Sequence, residues 1–164
     1  MDETLAYLED RYKEEQARFD HFENKCAKFF TAVSVVIAAL TAFATSKGKL
    51  LFGMTNAIDV ITMATFLAAA LCIACSWGHA LSALRIQECP TLPYRRETLQ
   101  WMLNADEERR KQYIYDCHID TLEKLKDVID NKSKPLDFAY SEIVYAAWAL
   151  SLLAITLLAK ELLI

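Results

Sequence analysis

Apolar and charged residues are segregated along this chain rather than interleaved. Phe29 to Ser46, Val60 to Leu84 and Ile143 to Ala159 contain no Asp, Glu, Lys or Arg. A bilayer core is about 30 Å thick, and a helix rising about 1.5 Å per residue crosses it in roughly 17–25 apolar residues. Each stretch falls in that range, whereas a soluble helix of such length shows a charged face. The pattern predicts an all-α membrane protein with three transmembrane helices.

The polar segments read as helical too. Before Phe29, the residues Leu5, Leu8, Tyr12, Phe19, Phe22, Cys26, Phe29 and Val33 follow the alternating three–four spacing of a heptad seam, broken only at Glu15. With no Pro or Gly before Gly48, one helix is expected from about Asp2 to Ser46. Its seam outside the membrane, Leu5 to Phe22, needs a partner, within the same chain or in an oligomer. Lys47-Gly48-Lys49 breaks the helix, and Leu50 to Asp59 reads as a turn. In the next polar segment, Pro90 and Pro93 interrupt helix. A short helix is expected over Tyr94–Leu103. Another is expected to start at Asn104 as cap, with Glu107 as the capping-box acid, and to end before Pro135. The organisation is then residues 1–28 as an amphipathic helix, 29–84 as a two-span hairpin, 85–137 as a helical segment, and 138–164 as the third span with a short tail.

Charge supplies the orientation. Fifteen of the 18 Lys and Arg precede Phe29 or lie between Arg85 and Lys134. Two spans separate these regions, so they share one side, and the positive-inside rule makes that side cytoplasmic. The expected architecture is thus three spans with a cytoplasmic helical layer and a cytoplasmic amino terminus. The first 28 residues do not read as a cleavable signal, since eight of them are acidic. A net charge of −4 argues against nucleic-acid binding, which uses a basic stripe. The five cysteines are odd in number and scattered, against a disulfide framework. Cys72 and Cys75 lie in an apolar span, where they read as small packing residues and not as a redox or zinc pair.

Candidate chemistry concentrates in the 85–137 segment. Arg95, Arg96, Arg109 and Arg110 offer planar forks for phosphate, and Trp101 and Tyr113 offer stacking faces. Together they suit a nucleotide; equally, the arginines suit pairing with neighbouring acids on a solvated face. His79 is the one titratable side chain in a span besides the cysteines and Tyr145, and such a group either lines a pore or sits at the interface. Thr41, Thr62 and Thr65 either line a polar path or pack. Asp59 and Glu142 border the spans and are expected to face headgroups or water. Asp116-Cys117-His118 places neighbours on different helix faces, and the chain holds no HExxH, GxSxG or phosphate-cradling glycine loop. No catalytic residue, metal site or cofactor is expected, and the chain does not read as an enzyme.

The layout also carries a resemblance. A leading helix runs through Glu23-Asn24-Lys25-Cys26-Ala27-Lys28 directly into an apolar span. This is similar to the D-N-K-A-S lead-in of the transmembrane effectors of bacterial Pycsar antiphage systems and of related SLATT-type effectors. Asn24 and Lys25 match in place, while Cys26 stands where that pattern has Ala. The order of span hairpin, helical segment and later span matches over nearly the whole chain. The resemblance implies an oligomeric bacterial inner-membrane effector that senses a cyclic nucleotide on its cytoplasmic side and impairs the membrane. The competing expectation is a ligand-free scaffold or partner subunit that uses the heptad seam.

Overall fold

The computed structural model describes residues 3–85 and 89–163. Asp2 and Ile164, included in the expected first helix and tail, lie outside them. Among the described residues there are helices and no strands: α1 (Glu3–Ser46), α2 (Gly48–Phe52), α3 (Ala57–Ala83), α4 (Arg96–Asn104) and α5 (Glu107–Leu163). Three of them, α1, α3 and α5, are long and apolar enough to cross a membrane. This is an all-α, multi-pass membrane architecture.

Two compact units emerge: one joins Met1–Lys25 to Ile86–Lys132, the other joins Cys26–Arg85 to Ser133–Ile164. The helices α1 and α5 each contribute to both.

In the first unit, charges along α1 pair one turn apart. Arg11 meets Glu14 at 2.5 Å, and Lys13 meets Asp10 at 3.5 Å; each such pair adds a few tenths of a kcal/mol. Glu15, the break in the seam, is tolerated because Arg11 and Arg18 reach its two oxygens at 3.3 and 3.4 Å. The seam itself packs within the chain. Phe19 is buried against Leu125 and Ile129 of α5, with Cys89 and Val128 beside them. Tyr12 sets its ring edge-on to His118, 6.4 Å between centroids, while Leu5, Leu8 and Phe22 are half-buried. The buried Lys132 pairs with Glu23 and lies 5.1 Å over the ring of Phe19.

In the second unit, α3 buries Asp59, Thr62, Phe66, Ala69, Ile73, Ser76, Ala80 and Ala83. Those steps alternate three and four, the signature of left-handed, knobs-into-holes packing. Its neighbours form two clusters, Val33 with Ile73 and Ala146, and Leu51 with Phe66 and Leu153. Small residues at these contacts allow close approach, so backbone and hydroxyl groups meet. Ser76 Oγ donates to the carbonyl of Ala139 at 2.8 Å, and Trp77 Nε1 donates to Ser34 Oγ at 3.1 Å.

Two expectations about α5 are corrected. The helix begins at Glu107, and its cap is Asp106, whose Oδ1 accepts the Arg109 amide at 2.9 Å. Asn104 closes α4 instead, donating from Nδ2 to the Gln100 carbonyl, and Glu107 pairs with Lys111 at 3.0 Å. Nor does the helix stop before Pro135, which sits inside it. Proline removes one amide donor, but Lys132, Leu136 and Ala139 are all buried around it, and that packing holds the helical path. Leu50 to Asp59 is likewise more ordered than a turn, since α2 occupies its first part and buries Leu51 completely.

Candidate functional site

Three of the six residues expected at a nucleotide site come together. Trp101 on α4 and Tyr113 on α5 lie 4.9 Å apart between ring centroids, tilted at 51°. Trp101 and Arg109 line a cavity of about 200 Å³ with Asn104, Ala105 and Asp106. The Tyr113 hydroxyl is bonded with Cys117 and Thr98, and the Cys117 bond contributes most to raising its pKa. Arg109 Nε meets Asp106 Oδ2 at 3.3 Å, and both side chains are exposed. Glu107 is held below the usual carboxylate range, first by its bond to Lys111.

Arg95, Arg96 and Arg110 do not line this cavity. Arg95 and Arg96 open α4 and are exposed; Arg110 is half-buried. The helix α4 buries none of its residues. Around it Tyr94 is 90% and Leu103 73% exposed, and Leu99 and Trp101 are also open. An amphipathic helix with exposed apolar residues therefore flanks the cavity.

The polar residues expected in the spans are occupied by their own helices or by rings. Thr41, Thr62 and Thr65 donate to the carbonyls of Ile37, Ile58 and Ile61 at 2.8–2.9 Å, the back-bonding that satisfies hydroxyls in apolar helices. Thr62 is fully buried. His79 lies half-buried, 5.7 Å from the Phe138 ring. In Asp116-Cys117-His118, the buried His118 bonds through Nδ1 with the Ile114 carbonyl at 2.8 Å, and Cys117 bonds with Tyr113.

Sequence reasoning missed the most organised polar cluster of the chain. Asp59 is buried, not facing headgroups or water, and Lys160 Nζ contacts its Oδ1 at 2.6 Å. Asp59 Oδ2 accepts from Thr55 N (2.9 Å), Thr55 Oγ1 (2.5 Å) and Asn56 N (3.0 Å). Lys160 also donates to the Leu50 carbonyl at 2.9 Å. Thr55-Asn56 ahead of an acid three residues later is a cap signal that pointed to part of this cluster; nothing local pointed to Lys160.

No protein-family model matches the chain, and neither a curated protein nor a solved structure matches it.

Proposed function

We propose that this chain is an oligomeric effector of the bacterial inner membrane that takes a cyclic nucleotide on its cytoplasmic side and permeabilises the bilayer in antiphage defence. The first unit and the amino terminus lie in the cytoplasm in this reading, the side that the distribution of Lys and Arg favours. The observation that carries it is the Trp101–Arg109 cavity beside the unburied face of α4. It combines an aromatic surface for a base with a guanidinium for a phosphate. At about 200 Å³ it is smaller than the roughly 300–1,000 Å³ of small-molecule sites, so a second copy packed on α4 completes it. Ligand binding between copies favours one arrangement of subunits and shifts the spans toward a leaky state.

Thermal-shift measurements on purified protein with a panel of cyclic nucleotides test this. One nucleotide is expected to raise Tm, and the R109A/R110A protein is expected to lose that rise while still inserting in the membrane. No shift with any of them, together with no growth arrest on overexpression, would favour the ligand-free scaffold. That scaffold has little free seam to offer, because Phe19 and Tyr12 are engaged within the first unit.

A further inference from the structure

We propose that the cavity beside Asp59 and Lys160 binds a phosphate group, as the headgroup of an anionic lipid or as a free phosphate. The cavity measures about 310 Å³ and is lined by Lys49, Leu50, Gly53, Thr55, Asn56 and Ile58 in addition to the ion pair. That volume reaches the lower range of small-molecule sites. A purely structural ion pair sits in close-packed surroundings instead.

The hydrogen-bond accounting identifies the ligand as an acceptor. A carboxylate offers about four lone-pair sites. Asp59 Oδ2 takes Thr55 N, Thr55 Oγ1 and Asn56 N, and Oδ1 takes Lys160 Nζ. An ammonium offers three donors. Lys160 gives one to Asp59 and one to the Leu50 carbonyl, and its third has no partner among the described residues. Lys49 is exposed and has none there. Donor capacity thus remains on both lysines, while the carboxylate beside them already takes four donors. Two cations face one carboxylate around the cavity, so its lining carries a net positive charge. The side chains of Lys160 and Asp59 are only 10% and 8% exposed, which fixes the donor in place and shields its charge from water.

Position supplies the source. The first uncharged stretch ends at Ser46, the second begins at Val60 and the third ends at Ala159; Lys160 brings the last two boundaries to this cavity. Spans end at the level of lipid headgroups, so an anionic headgroup lies within reach of Lys49 and Lys160.

Melting of the full chain, followed by tryptophan fluorescence, in phosphatidylcholine nanodiscs with and without phosphatidylglycerol tests the site. Phosphatidylglycerol is expected to raise Tm. Lys49→Ala is expected to abolish the rise while leaving Tm in phosphatidylcholine unchanged. Lys47→Ala, an exposed lysine outside the cavity lining, is expected to keep it. Soluble glycerol phosphate added to phosphatidylcholine discs separates the sources: a Lys49-dependent rise there assigns a free phosphate, and a rise only with phosphatidylglycerol assigns the lipid. An equal rise in the Lys49→Ala protein, or no rise with either probe, overturns the proposal. Neither result bears on nucleotide binding at Trp101 and Arg109.

Discussion

Two buried lysines of α5, Lys132 in the first unit and Lys160 in the second, occupy the same heptad phase four heptads apart. Their partners differ. Lys132 meets Glu23, whose side chain is 35% exposed, and gains the face of Phe19. Lys160 meets Asp59, which is nearly removed from water and held by three further donors at the start of α3. The first pair leaves its carboxylate hydrated, so water can take the place of Lys132 at Glu23. The second has no such substitute. A cation at a core position is thus tolerated in two ways, by leaving its counter-ion wet or by organising it completely.

That contrast is open to breakage. Asp59→Ala leaves Lys160 buried without its counter-ion and is expected to cost about 3–5 kcal/mol, the usual result of halving a buried pair, read by denaturant titration in detergent. Asp59→Asn sharpens the result, because Asn keeps a cap acceptor while removing the charge. If Lys132→Met costs as much as Asp59→Ala, the distinction fails; about 1 kcal/mol or less is expected, because the Glu23 left behind is 35% exposed and stays solvated.

Pro135 lies beyond Lys132 in the same helix. Pro135→Ala restores an amide donor and is expected to stabilise by up to about 3 kcal/mol, read as a higher unfolding midpoint. The Asp106→Ala protein loses the cap of α5, at a cost of about 1 kcal/mol, and releases Arg109 from its only carboxylate in the cavity. The smallest effect is at Glu107. Its pKa is depressed in the folded chain by Lys111, so its contribution is present above the unfolded carboxylate pKa and fades as pH falls through the folded value. Acid titration of a Glu107→Gln protein should show slightly less loss of stability over that window than wild type.

Much of the fold was legible from hydropathy. The three uncharged stretches mark the three long helices, and α1 ends at Ser46 as the Gly48 break predicts. The heptad seam of α1 was visible because large apolar residues occupy it. That of α5 was not. Its seven-spaced buried positions are His118, Leu125, Lys132, Ala139, Ala146, Leu153 and Lys160. Three are polar and two are alanines, so their burial depends on partners distant in sequence. Pro135 misled for the opposite reason: the rule it follows is local, and packing around it overrides local cost. At the candidate site, Trp101, Arg109 and Tyr113 were found by residue chemistry, whereas Asp106 was passed over for Asn104 as the cap. Lys160 and Asp59 lie a hundred residues apart, and no spacing rule joins them.

In the proposed function, a nucleotide bound in the first unit opens the membrane. Dye release from liposomes carrying the purified protein tests it directly. Addition of the cognate cyclic nucleotide is expected to release dye with wild type and not with R109A/R110A. Intact liposomes with every cyclic nucleotide, or equal release by the double variant, would contradict it.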